Sequence, residues 1–277
     1  MTQVLSVCDL RKRYGKFEAL RGVDLDFEPG KFTVIIGPSG AGKSTFIRCI
    51  NRMVDPDGGE IVFDSAHMEQ LRGAALRQRR AMIGMIFQHY NLVARTNVLR
   101  NVLHGRLGYM PLWKSLLGAY PESEKRRALD LLDEVGLSDQ MYKRADTLSG
   151  GQMQRVGICR ALMQAPKLLL ADEPIASLDP KSAEVVMEHL KQTTKQRGLC
   201  CIVNLHQVEF ARKYADRIIG LKAGRVVFEG SPATLSDAVA RDIYENAESR
   251  LENQLTGADI ARIEDEERVA LCETVAA

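Results

Sequence analysis

Two stretches near the start of the chain, residues 4–10 and 19–27, alternate apolar and polar side chains, the period-two pattern of strands with one buried face. Residues 32–36 form an apolar run, as a strand covered on both faces requires. A glycine-rich turn follows, and 43–53 then reads as a helix. Apolar runs at 61–63 and 83–87 read as further strands. From about 91 to 152 the pattern turns helical, with the charged amphipathic stretch 122–135 as its clearest piece. Alternation then resumes, with strands at 168–171, 200–205 and 217–221 and a helix over 180–196 between the first two. The order predicts an α/β core with a parallel sheet, interrupted by a helical insert at about 91–152. A main domain over 1–240 and a helix-prone tail over 241–277 complete the division. There is no internal repeat and no low-complexity linker.

Composition narrows the class. Hydrophobic residues make up 45% and charged residues 27% of 277, ordinary values for a packed protein. A formal net charge of +2 gives no general attraction to nucleic acid, and none is expected as a partner. The six cysteines, Cys8, Cys49, Cys159, Cys200, Cys201 and Cys272, form no CxxC pair. Most lie in apolar runs, where reduced buried thiols are expected. The first fifteen residues lack the basic and apolar regions of a secretory signal, and no apolar stretch approaches a membrane span. A cytoplasmic protein is expected, reaching any membrane through a partner.

The chemistry begins with GPSGAGKS, Gly37, Pro38, Ser39, Gly40, Ala41, Gly42, Lys43 and Ser44, followed by Thr45, between a strand and a helix. This fits GxxxxGK[ST], in which glycines let the backbone curl its N–H groups toward phosphate oxygens and the helix N-terminus adds its dipole. Lys43 is then placed to reach the β- and γ-phosphates of ATP, and Ser44 to hold Mg²⁺. The other reading is a turn that merely caps a helix. A chance match anywhere in the chain is on the order of one in a hundred. The second signal is KLLLADEP, residues 167–174, which sets two carboxylates at the C-terminal edge of a buried strand, where α/β sheets bind ligands. Asp172 suits the Mg²⁺ shell and Glu173 the polarising of an attacking water. Alone, this segment is equally a strand followed by an acidic turn.

Those two motifs describe many nucleotide triphosphatases. LSGGQMQR, residues 148–155, selects among them, because it resembles the signature loop of the ABC ATPase family. Ser149, Gly150 and Gly151 present N–H groups suited to a γ-phosphate at the start of a helix running from Gln152 onward, and Gln152 counts with them as nucleotide-binding. A subunit that already has one phosphate loop has use for a second only if two subunits pair head to tail; otherwise the segment is an ordinary Ser-capped helix. The resemblance covers roughly 4–230. It implies a RecA-like P-loop core with an N-terminal antiparallel β subdomain and an inserted helical subdomain. It further implies that Gln88 joins the subdomains, senses Mg²⁺ and contacts the membrane partner, and that Asp179, in Ser177–Leu178–Asp179, lies at the dimer interface. By the same resemblance His206 braces the γ-phosphate and the catalytic carboxylate, and Tyr14 stacks on adenine, against the alternative of a packing residue.

One set of motifs and no membrane span resembles the separate ATPase subunit of bacterial importers. Three segments, FQHYNLVARTNVLRNVL, HGRLGYMPLWKSLLGAYPESEK and VNLHQVEFARKYADRIIGLKAGRVVFEG, are similar to the ATPases of phosphonate importers. That resemblance implies a homodimer on the cytoplasmic face of the inner membrane, bound to integral permease subunits and served indirectly by a periplasmic solute-binding protein. Residues 111–117, with the chain's one tryptophan, Trp113, form an apolar loop suited to permease contact or to packing on its own subdomain. Two alternatives remain: a soluble ABC ATPase accessory to a carbon–phosphorus cleavage complex, and an importer ATPase for another solute.

Overall fold

The computed structural model describes residues 3–111 and 118–245. The chain opens with a hairpin, β1 (Leu5–Tyr14) and β2 (Phe17–Phe27). β1 also pairs with β4 (Gly58–Phe63), and a short β5 (Ala66–His67) completes an antiparallel sheet of order β2-β1-β4-β5. The larger sheet has the order β10-β9-β3-β8-β7-β6. Its members are β3 (Phe32–Ile36), β6 (Ile83–Ile86), β7 (Leu168–Asp172), β8 (Cys200–Leu205), β9 (Arg217–Lys222) and β10 (Arg225–Gly230). All its pairings are parallel except β9 with β10. The expected α/β core and antiparallel subdomain are therefore present.

Both faces of the parallel sheet are covered, and the period-two rule sorts its side chains between two cores. Ile35, Leu168, Leu170, Cys200, Ile202 and Ile219 pack with α1 (Lys43–Ile50) and the antiparallel sheet, around Phe27, Phe46 and Phe63. Val34, Ile36, Leu169, Ala171, Cys201, Val203 and Ile218 face the other way. There they meet α3 (Val98–Leu103), α4 (Glu122–Glu134), α5 (Gly150–Met163), α6 (Pro180–Arg197) and α7 (Val208–Tyr214). Each fully buried large side chain of this kind is worth about 1.5–3 kcal/mol of transfer free energy.

Several boundaries differ from the sequence expectation, each for a local reason. α1 stops at Ile50 because Arg52 turns left-handed, with φ 55°, and buries its guanidinium against Asp55 and the Met68 carbonyl. α2 (Gly73–Arg80) was not expected, since none of its residues is buried and it carries no apolar stripe. The expected helical insert is part loop, and its last helix, α5, runs on past residue 152 into the core. The last described helix, α8 (Asp237–Tyr244), crosses the expected boundary at 240 and seats Ile243 against Gly220 of β9. Of the cysteines, Cys49, Cys159, Cys200 and Cys201 are buried free thiols, and burial pushes Cys49 and Cys201 up to about 12. Cys8 is exposed, on a β1 position that alternation turns outward. Leu112, Trp113 and the rest of 112–117 lie outside the described residues, as do Cys272 and the tail from 246. Among the described residues no helix is long and apolar enough to cross a membrane.

Candidate functional site

The C-terminal ends of β3, β6, β7 and β8 deliver the chemistry to one edge of the sheet. The phosphate loop leaves β3 at Ile36 and enters α1 at Lys43, with Ser39 and Gly40 exposed at its apex. Gly42 caps α1 at φ 101°, and a Cβ there would lie 2.4 Å from the Ala19 carbonyl oxygen. Only glycine fits that left-handed, crowded turn. The Lys43 ammonium is buried and donates to the carbonyls of Gly37 at 2.7 Å and Pro38 at 3.0 Å. Burial pushes its pKa down to about 8, against the opposing pull of Glu173 and Asp172. A desolvated cation whose hydrogen bonds go to neutral carbonyls favours an anion at the loop, and a polyphosphate meets that need.

Beside it, Ser44 Oγ donates to Asp172 Oδ1 at 2.8 Å. Asp172 is 4% exposed and is held by two further groups. Asn204, its register partner on β8, donates Nδ2 to Oδ1 at 3.0 Å, and Arg48 Nη2 lies 3.4 Å from Oδ2. A hydroxyl and a carboxylate side by side form the all-oxygen donor set that suits Mg²⁺ rather than a soft metal. Gln88 follows β6, the strand beside β7, and is exposed at the same edge.

Glu173, the residue after β7, has φ 49°, a left-handed conformation costing about 1–3 kcal/mol for a residue with a Cβ. The turn swings its carboxylate toward β8, where Oε1 lies 2.6 Å from His206 Nε2. That hydrogen bond holds the Glu173 carboxyl below its ordinary pKa, against desolvation. Lys43, Ser44, Asp172, Glu173 and His206 thus converge, although up to 163 positions separate them in the chain (43 to 206).

The signature segment is arranged otherwise. Ser149 caps α5 in a capping box: its Oγ accepts from the Gln152 N–H at 3.3 Å, and Gln152 Oε1 accepts from the Ser149 N–H at 2.9 Å. The Ser149 N–H, expected to face a phosphate, is satisfied within the helix, as is that of Gln152; the N–H groups of Gly150 and Gly151 are left without an intrahelical acceptor. A Cβ on Gly151 would lie 2.9 Å from Ser182, and one on Gly150 3.6 Å from Leu178. The α5 start therefore packs on the start of α6, where Asp179 caps by accepting from the Ser182 N–H at 3.0 Å. No hydrogen bond or ion pair among the described residues joins Ser149, Gln152 or Asp179 to the Lys43–Asp172 cluster.

Tyr14 is corrected. It is 3% exposed, packed in the core beneath the antiparallel sheet, with the Lys12 ammonium 5.1 Å from its ring centroid. In this conformation it offers no open ring face to a base. Sequence reading also missed Asn204 and Arg48. Both left a signal: Asn204 is a polar residue inside an otherwise apolar strand, and Arg48 follows Ser44 by one helical turn.

The cradle at a strand–helix junction, with a Ser–Asp pair beside it and a carboxylate at the next strand end, defines a P-loop nucleotide triphosphatase. Residues 20–176 match the family model described as ABC transporter, and the chain belongs to that family. It is 52% identical over 87% of its length, and 95% of the relative, to the phosphonates import ATP-binding protein PhnC 2 of Oceanobacillus iheyensis. It is 51% identical over 87% of its length, and the whole of the relative, to the protein of the same description from Halalkalibacterium halodurans. Among solved structures, it is similar to a dimeric ATP-binding cassette in a post-hydrolysis state bound to ADP and Pi. That match has a TM-score of 0.73 and 34% identity, over 82% of this chain and 98% of the other.

Proposed function

We propose that this chain is the ATP-hydrolysing subunit of a phosphonate importer, acting as a head-to-tail dimer on the cytoplasmic face of the inner membrane. The carrying observation is the convergence of a buried Lys43, the Ser44–Asp172 pair and the Glu173–His206 pair at one sheet edge. The phosphate loop N–H groups and Lys43 bind the β- and γ-phosphates of ATP. Ser44, Asp172 and the amide oxygen of Gln88 would hold Mg²⁺; the chemistry it supplies when bound is neutralisation of phosphate charge. Glu173, kept ionised by His206, accepts the proton of the attacking water, and His206 fixes its carboxylate in place. The Gly150 and Gly151 N–H groups, unable to serve their own chain's phosphate loop, meet the γ-phosphate held by the partner subunit.

The family, the relatives' description as import proteins and the cassette dimer support this reading over a soluble enzyme-accessory role. Permease subunits are the membrane partners, and a periplasmic solute-binding protein acts through them. The solute touches none of these residues, so the test is genetic. Deleting the gene abolishes growth on a phosphonate as sole phosphorus source and spares growth on phosphate. Continued growth on every phosphonate tested, with no second uptake system present, overturns the solute assignment. Copurification with a soluble enzyme complex and no integral membrane subunit overturns the importer.

A further inference from the structure

The last described helix reaches into the site through its final side chain. We propose that Tyr244 is a positioning residue for ATP hydrolysis, its hydroxyl tying the phosphate loop to the strand end that carries His206. The hydroxyl accepts the Gly37 N–H at 3.2 Å and donates to the His206 carbonyl at 2.9 Å. One oxygen thus joins the first residue of the phosphate loop to the backbone of the residue whose Nε2 lies 2.6 Å from Glu173 Oε1.

Three features fix that hydroxyl in place. Ile243, 1% exposed, fills the space over Gly220 of β9, where a Cβ would come 2.7 Å from its Cδ1. The Lys222 ammonium on β9 holds the Asp242 carbonyl, and Arg212 of α7 pairs with Asp237 at 2.6 Å at the start of α8. Gly220 is the register partner of Ile36, the residue before the loop, so α8 is anchored on the strand beside the one that launches it. The phenol is largely desolvated, and burial holds its pKa above the ordinary value, so the proton it donates stays on. Gly37 is crowded as well: a Cβ there would lie 2.1 Å from the Leu221 carbonyl oxygen, so β9 and α8 together define where the loop begins. A side chain that merely filled space would need only the ring. Both polar contacts of Tyr244 go instead to backbone groups of the two loops that flank the γ-phosphate position.

This inference rests on the ATPase reading, which wild-type turnover tests by itself: a full-length protein with no Mg²⁺-dependent ATPase activity refutes that reading first. Given turnover, Tyr244→Phe keeps the ring and removes both hydrogen bonds. It is expected to lower kcat about tenfold while KM for ATP stays within about threefold and the melting temperature barely moves. In a His206→Ala background, measured above the assay blank, Tyr244→Phe is expected to produce a clearly smaller loss, because the part of its effect that places the His206 side chain is already gone. Wild-type kcat in Tyr244→Phe overturns the proposal. So does a loss of equal size in both backgrounds, or one that tracks the melting temperature alone.

Discussion

Glu173 and His206 show how much a single residue's environment decides. A carboxylate accepting a hydrogen bond at 2.6 Å stays ionised and fixed, the two properties a general base needs. Glu173→Gln keeps the size and hydrogen-bonding capacity but cannot take a proton. Turnover is expected to fall by about 10²–10⁴-fold, with ATP affinity changed only a few-fold. An ATP-bound dimer then accumulates on size exclusion, because hydrolysis no longer releases it. A variant that keeps most of its turnover identifies a different base. The left-handed backbone of Glu173 belongs to the same design, since strain held at a reacting group is maintained only by its surroundings.

At the scale of elements, what holds the site is where strands begin and end. Asp216, just before β9, accepts the Phe32 N–H at the start of β3 with Oδ2 at 2.9 Å and pairs through Oδ1 with Lys191 of α6. Desolvation raises its pKa, but Lys191, the Phe32 N–H and Lys31 outweigh this and hold the carboxyl below its ordinary value. A carboxyl with a depressed folded pKa contributes stability that is complete above its unfolded pKa, about 3.9, and is lost as pH falls through the folded value. Asp216→Asn keeps an acceptor for Phe32 and loses the ion pair. With the side chain more than a third exposed, the cost is about 0.5–1 kcal/mol near neutral pH. Thermal melts from pH 7 to pH 3 should show the gap to wild type narrowing below about pH 4. A gap that widens with acid contradicts the assignment.

At the scale of the whole molecule, the described residues form two clusters, around Lys43–Asp172 and Ser149–Asp179, with no hydrogen bond or ion pair between them. In the proposed head-to-tail dimer, Ser149→Arg places a bulky cation where α5 would open toward the partner's phosphate, while its own phosphate loop stays intact. Lys43→Ala removes the buried cation and leaves the signature segment whole. Each variant alone should be inactive; mixing them at equal amounts regenerates one of the two composite sites in the roughly half of dimers that pair unlike subunits, at most about a quarter of wild-type activity. Normal turnover in Ser149→Arg alone removes the head-to-tail argument. Activity of the mixture that rises with the square of concentration at low protein marks the pairing step.

The elements that repeat a local pattern were legible in the chain: the alternating strands, β3, β7, β8, α4 and the strand–loop–helix of the phosphate cradle. Period, turn residues and capping act within a few positions, so sequence suffices for them. The residue types at Lys43, Ser44, Asp172 and Glu173 were legible for the same reason, each standing at the end of a readable strand or turn, whereas His206 was singled out by the family resemblance. Tertiary structure alone decided the order β10-β9-β3-β8-β7-β6, which brings those strand ends side by side. It buried Tyr14, which its sequence spacing left open, and made Asn204 a support for Asp172 through strand register. It also set the Tyr244 hydroxyl on Gly37, 207 positions away. Contacts of that range depend on which surfaces the whole fold buries together, and no local period records them.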